Sequence, residues 1–283
     1  MSIAKILVPV NGTAQDVIAI ATAIRTAKPF NAHVSAVFVH PTPAEALFPI
    51  GIPLTGEAMQ AIIDGQTEFM KAAAKAARAI LRRVCVGEGV ELVDVPELRE
   101  AVTCSFRERT GPFATMIAEL ASLSDLVVFG QPSYSSQTHE AILEVLLNAQ
   151  RPLLLASQAP ARLFHRVAVG WDGGQCAANA TFAAMPYLVR AQSVEIISID
   201  RGQSTDLQDV KDYLKLHSIS CSTRNLRADH QPIHETLMTR VDASHADTLV
   251  IGGYGHSRVR ETFFGGVTIE MLLRARMPVF LMH

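Results

Sequence analysis

Short apolar runs rich in β-branched residues alternate along this chain with longer stretches of helical character. The runs predict strands near 3–10, 33–39, 90–95, 125–130 and 152–156, and again near 166–171, 193–199, 220–226, 247–252 and 278–282. The intervening stretches predict helices near 14–28, 57–84, 112–123 and 138–149, then near 175–190, 205–217, 231–245 and 267–275. Parallel neighbours in a sheet need a crossover between them, usually a helix, so this alternation implies a parallel sheet covered by helices on both faces.

The pattern occurs twice. Lys5-Ile6-Leu7-Val8-Pro9-Val10-Asn11-Gly12 matches Arg166-Val167-Ala168-Val169-Gly170-Trp171-Asp172-Gly173, each a strand running into a turn and then an alanine-rich helix. Asp125 to Gly130 likewise matches Asp247 to Gly252, and Arg151 to Leu155 matches Met277 to Leu281. The expected domains are residues 1–157 and 163–283, joined by the short linker Ser157 to Arg162, which favours domains that pack together. The first copy is about 39 residues longer between its matching anchors, mostly between its second and third strands. There a proline-containing segment, Pro41 to Pro53, leads into a long alanine-rich helix, a candidate flap or interdomain brace.

Candidate chemistry concentrates after the run Thr248 to Ile251, in Gly-Gly-Tyr-Gly-His-Ser-Arg-Val-Arg-Glu-Thr-Phe-Phe-Gly-Gly-Val-Thr, residues 252–268. Gly252, Gly255, Gly265 and Gly266 lack a β-carbon, so their amides can approach an anion closely. A helix starting near Val267 adds unpaired N–H groups and the positive end of its dipole. His256, Arg258 and Arg260 can add side-chain donors, which Glu261 partly offsets. The alternative is a plain surface loop between strand and helix.

With its spacing G-x2-G-x9-G-G-V-T, the chain resembles the universal stress protein family, whose nucleotide-binding members carry G-x2-G-x9-G followed by Ser or Thr. It departs at Gly266, where that pattern has a hydroxyl residue, so a side-chain contact to phosphate is absent there. The resemblance covers the chain as a tandem pair. It implies two doubly wound α/β domains, each a five-stranded parallel sheet with helices on both faces. It also places nucleotide contacts on Gly170, Trp171, Asp172, Ile199, Ile251, Gly252, Gly255, Gly265, Gly266, Val267 and Thr268. Asp172 then lies near the base or ribose edge, Ile199 against adenine, and the glycine loop on the phosphates. In open parallel sheets ligands sit beyond the carboxyl ends of the strands, where the winding reverses. Asp172-Gly173-Gly174 also reads as a turn and helix cap, and Trp171 as a packed aromatic.

The first copy has Asn11 in place of Asp172 and Gly130-Gln131-Pro132-Ser133 in place of Gly252-Gly253-Tyr254-Gly255, with no later Gly-Gly pair. It is not expected to hold a nucleotide in the same way.

Composition narrows the partners. At 49% hydrophobic, 18% charged and a net charge of −2, the chain has no field that gathers nucleic acid or anionic membrane. No apolar run approaches the ~20 residues of a membrane helix, and the start shows no basic region followed by an apolar one, so a cytoplasmic location is expected. Cys85, Cys104, Cys176 and Cys221 form no C-x-x-C pair, so neither a zinc knuckle nor a redox dithiol is expected. His230 and His234, four apart, read as a solvated helix face, and no metal site is expected of the protein itself. A P-loop, a nucleophile elbow and a partnered general base are all missing, which weighs against an enzyme. The expected function is a stress-response module binding ATP or another adenine nucleotide, with Mg bridging the phosphates; a homodimer is compatible with the resemblance. The alternatives are a slow nucleotide hydrolase, or a nucleotide-independent scaffold or apolar-ligand carrier.

Overall fold

Chain repetition becomes two compact units in the computed structural model, which describes residues 2–43, 45, 55–96, 100–130, 136–157, 162–200, 206–228, 232–253 and 276–283. The N-terminal unit comprises Ala4–Val128 and Tyr134–Ala149; the C-terminal unit comprises Met1–Ile3, Phe129–Ser133 and Gln150–His283.

In the N-terminal unit β1 (Lys5–Val10), β2 (His33–His40), β3 (Glu91–Leu92), β4 (Thr103–Thr110) and β5 (Leu126–Phe129) follow the order β3-β4-β2-β1-β5. Every neighbouring pair is parallel. β1 is buried from Ile6 to Val10 because helices cover both faces, which is why it reads as one apolar run and does not alternate. In the C-terminal unit β7 (Arg166–Gly170), β8 (Ser193–Asp200), β9 (Cys221–Arg227), β10 (Thr248–Gly252) and β11 (Val279–Met282) form the parallel order β11-β10-β7-β8-β9. Each sheet grows from its first strand in one direction and then reverses, between β1 and β5 and between β7 and β10. The doubly wound α/β fold is therefore as expected.

Two details differ. The strand expected near 90–95 is only the two-residue β3, and the long third strand is β4, eight residues in register with β2 from His33↔Thr103 to His40↔Thr110. Its sequence, Thr-Cys-Ser-Phe-Arg-Glu-Arg-Thr, carries charge toward an exposed end and lacks the apolar run that marks a covered strand. The second difference is β6 (Leu153–Leu155), which joins the C-terminal unit antiparallel to β11. Its three leucines are legible as a strand; strand direction leaves no trace in periodicity.

Among the described residues, seven α-helices connect the strands: α1 (Gln15–Ala27), α2 (Gly56–Glu88), α3 (Phe113–Ser122), α4 (Ser136–Leu143), α5 (Gln175–Leu188), α6 (Gln208–Leu216) and α7 (Ile233–Ala243). α1 is buried almost all round from Ala19 to Ala27, Arg25 excepted, which small alanines and β-branched side chains permit. α2 starts where the Thr55 hydroxyl accepts the Ala58 amide at 3.3 Å and ends at Gly89, whose φ of +67° is the left-handed conformation glycine adopts without strain. Only its last part is buried, through Ala74, Ala77, Leu81, Val84 and Cys85. Arg25 in the last turn of α1 and Lys28 just past it hold Glu88 at 2.8 and 2.7 Å and fix that end.

The repeat extends to hydrogen bonding. Asp125 accepts the amides of Ala4 and Lys5 at 2.8 and 2.9 Å at the start of β1. Asp247, its match in sequence, accepts those of His165 at 3.1 Å and Arg166 at 2.9 Å at the start of β7. In both copies a carboxylate satisfies amides that the sheet leaves unpaired.

Candidate functional site

At the reversal point of the C-terminal sheet, the carboxyl ends of β7 and β10 lie side by side, with Gly170 and Ile251 as register partners. Next in the sheet, the Trp171 amide donates to the Ile197 carbonyl at 2.8 Å, which brings the end of β8 and Ile199 to the same edge. Gly170, Trp171, Asp172, Ile199, Ile251 and Gly252 are thus gathered at the carboxyl ends of adjoining strands, the position where open sheets take ligands. Trp171 and Ile199 are half-buried and Asp172 is exposed. Gly255, His256, Gly265, Gly266, Val267 and Thr268, with the helix expected near 267–275, lie outside the described residues.

Two of these glycines are needed for packing. A β-carbon on Gly170 would lie 2.8 Å from Cγ2 of Ile251. One on Gly252 would lie 2.5 Å from both the Ala177 nitrogen and the Cys176 carbonyl carbon, so bare backbone at the end of β10 is what lets the first turn of α5 approach. Asp172 accepts the Gly174 amide at 2.8 Å, and Gly173 has φ +78°. This is the turn that aspartate favours by local hydrogen bonding. Gly174 caps α5 without a side-chain acceptor.

Residues that the sequence did not mark complete this edge. His283 Nδ1 lies 3.1 Å from the Gly253 carbonyl and 3.7 Å from Cys176 Sγ, while Asn179 Nδ2 donates to the His283 carbonyl at 2.9 Å. Burial, with the Asp172 carboxylate adding to it, pushes the Cys176 thiol above its ordinary range. No periodicity or motif connects His283 to a loop thirty positions earlier; only the pairing of β10 with β11 does.

The matching place in the N-terminal unit is built differently. Asn11 repeats the turn, its Oδ1 accepting from the Thr13 amide at 3.1 Å and hydroxyl at 2.7 Å. Here, however, Asp16 in the first turn of α1 folds back and accepts the amides of Asn11 at 3.2 Å and Gly12 at 2.7 Å. Asp16 is 4% exposed, and burial raises its pKa against the lowering effect of those amides. Gly12, at φ +83°, is also covered: a β-carbon there would sit 2.4 Å from the Ala73 carbonyl oxygen on α2. Gln131, Pro132 and Ser133 lie outside the described residues.

A cavity of about 370 Å³ lies elsewhere in the N-terminal unit, at the carboxyl ends of β2 and β4, between Pro41, His40, Glu108 and the α2 residues Ile63, Met70 and Lys71. His40 Nε2 meets Glu108 Oε2 at 2.8 Å at its polar side. Leu47, Phe48, Ile50, Ile52 and Leu54, the apolar residues of the insert, lie outside the described residues, as does His230. Among the described residues no group of three His, Cys, Asp or Glu could hold a metal ion, and no helix is long and apolar enough to cross a membrane.

No protein-family model matches the sequence, and no curated protein matches it either. The fold is similar to that of a universal stress protein from Archaeoglobus fulgidus DSM 4304, at 13% identity and TM-score 0.67, over 98% of this chain and 97% of the other. A protein described as a universal stress protein from Pseudomonas aeruginosa UCBPP-PA14 is similar over 99% and 93%, at 14% identity and TM-score 0.59. A functionally unknown protein from Pseudomonas aeruginosa PAO1 is similar over 99% and 92%, at 13% identity and TM-score 0.57. The chain therefore has the universal stress protein fold along nearly its whole length.

Proposed function

We propose that this chain is an adenine-nucleotide-binding regulatory module, with ATP or a related nucleotide held in the C-terminal domain, residues 163–283, and a degraded copy in residues 1–157. The observation that carries the reading is the convergence of Gly170 to Asp172, Ile199 and Ile251-Gly252 at the reversal point of the C-terminal sheet. In this reading the base lies against Ile199 and Trp171, Asp172 faces the base or ribose, and Gly255, His256, Gly265, Gly266, Val267 and Thr268 take the phosphates. Mg, bound with the nucleotide, would offset phosphate charge there. In the N-terminal domain Asp16 already occupies the turn amides and α2 covers Gly12, which supports assigning no equivalent site there.

The resemblance extends the reading to a cytoplasmic stress-response protein that assembles as a homodimer and has neither nucleic acid nor membrane as a partner. Its output is a shift between conformations that the nucleotide contacts unequally. The cavity under α2 favours a second reading, an N-terminal carrier site for a small, largely apolar ligand.

Calorimetric titration with ATP and AMP, on the wild type and on Gly255→Val and Gly265→Val, tests the assignment. The variants are expected to weaken ATP binding about tenfold or more, because a side chain displaces phosphate from the amides. Unchanged affinity in both would remove the loop from the site. ATP turnover lost on Asp172→Ala would instead identify a hydrolase.

A further inference from the structure

β10 and β11 end in register at Gly252↔Met282, and one further ladder bond follows, from the Gly253 amide to the Met282 carbonyl at 2.8 Å. Gly253 is buried, so its carbonyl needs a donor as well. His283 supplies one. Its Nδ1 lies 3.1 Å from that oxygen and, because a carbonyl only accepts, Nδ1 carries the proton. The same nitrogen is 3.7 Å from Cys176 Sγ, and the His283 carbonyl accepts from Asn179 Nδ2 at 2.9 Å. Cys176 and Asn179 stand in the first two turns of α5, so one residue ties the exit of β10 to the start of that helix.

We propose that His283 is a positioning residue of the nucleotide site. Its imidazole fixes the main chain where β10 leaves the sheet, so that Gly252 and the edge from Gly170 to Asp172 are in place before an adenine nucleotide arrives. The role rests on the nucleotide reading of the C-terminal edge. His283 acts through Gly253 and need not touch the ligand: a main chain already held in its bound conformation loses less freedom on association, which raises affinity.

Comparison of the two repeats separates this role from general support of the fold. Hydrogen bonds that every copy needs occur twice, as with Asp125 and Asp247 at the starts of β1 and β7. The His283 clamp occurs once. In the first repeat Gln15, Ile18 and Ser157 match Cys176, Asn179 and His283 in sequence, and the buried Ser157 hydroxyl has no hydrogen-bond partner among the described residues. The copy with the clamp is the one whose strand runs into the glycine-rich segment 252–268.

Calorimetric titration with ATP on wild type, His283→Ala, His283→Asn and Asn179→Ala tests the role. Alanine removes the donor to Gly253, whereas asparagine places an amide N–H close to where Nδ1 stands. His283→Ala is expected to weaken ATP binding about three- to tenfold, the worth of one hydrogen bond, and His283→Asn to stay within about twofold of the wild type. Hydrogen exchange without nucleotide gives the second readout: the Gly253 amide is expected to lose protection in His283→Ala and regain it in His283→Asn, while the amides of β8 keep theirs. Should His283→Ala fail to fold, Asn179→Ala decides, since it frees the His283 main chain from α5 and is expected to weaken ATP in the same direction; unchanged affinity there would overturn the role. Wild-type affinity in His283→Ala, or an asparagine variant as weak as the alanine one, would also overturn it and leave the nucleotide site standing. No ATP binding by the wild type would overturn the nucleotide reading itself, and the role of His283 with it.

Discussion

Gly252→Ala is expected to destabilise the protein by about 3 kcal/mol, the upper part of the usual range for forcing atoms into a packed site. The added methyl would meet backbone atoms of Cys176 and Ala177 at 2.5 Å. Backbone in the first turn of a helix cannot swing aside as a side-chain tip can. Relief therefore requires α5 to move off β10, which parts the edge formed by Gly170 to Asp172 and Gly252. Gly65→Ala is the control: a methyl added at Gly65, on exposed α2, meets nothing within 4 Å, so better helix propensity should stabilise it by about 0.5–1 kcal/mol. Urea unfolding of both variants measures the contrast. A Gly252→Ala protein as stable as the wild type would show that the close approach of α5 to β10 is not required.

The second large effect is an acid-side loss of stability carried by His33. The residue is 8% exposed, with Nδ1 at 2.8 Å from the Thr103 hydroxyl and Nε2 at 2.8 Å from that of Ser105. Burial first, then the charges of Arg107 and Lys5, lower its pKa from 6.5 to about 4. A folded-state pKa below the unfolded value means that the unfolded chain takes up the proton first. Stability from this group is thus complete above pH 6.5 and falls as pH drops from 6.5 toward 4. At about 1.4 kcal/mol per pH unit, less an allowance for relaxation around the ring, the loss is about 2–3 kcal/mol. Asp16, whose pKa burial raises, works in the opposite direction. The informative quantity is therefore the difference between wild type and His33→Gln, followed by urea unfolding from pH 7 to 4. Parallel pH profiles for the two proteins would rule out His33 as the origin.

How much of this is legible in the sequence depends on what each residue has to do. β1 and β10 are covered on both faces and announce themselves as apolar runs. Asp125 and Asp247 align as repeats because they perform the same hydrogen bonding in each copy. β4 is hidden, because the charges on Arg107, Glu108 and Arg109 interrupt any apolar pattern while their backbone still pairs with β2. The reach of α2 past residue 84 escapes sequence reading since Val86 and Gly87 are weak helix formers, and Glu88 is held by Arg25 and Lys28 from a distant part of the chain.

At the candidate site, Gly170, Asp172 and Gly252 stand out because turns and close approaches select small or turn-forming residues. His283, Asn179 and Cys176 do not, for they meet only after β11 has paired with β10. Asp16 is legible as a first-turn acid of α1 but not as an internal anion lying on the turn amides, since that role needs the fold to turn the helix back on its own entry loop.

Equilibrium dialysis of the full-length protein against labelled ATP and magnesium, carried to saturation, tests the central claim most directly. The account predicts one nucleotide bound per chain, with affinity about tenfold or more weaker after Gly265→Val in a protein that unfolds at the wild-type urea concentration. Two equivalent sites per chain, or no binding by the wild type, would contradict it.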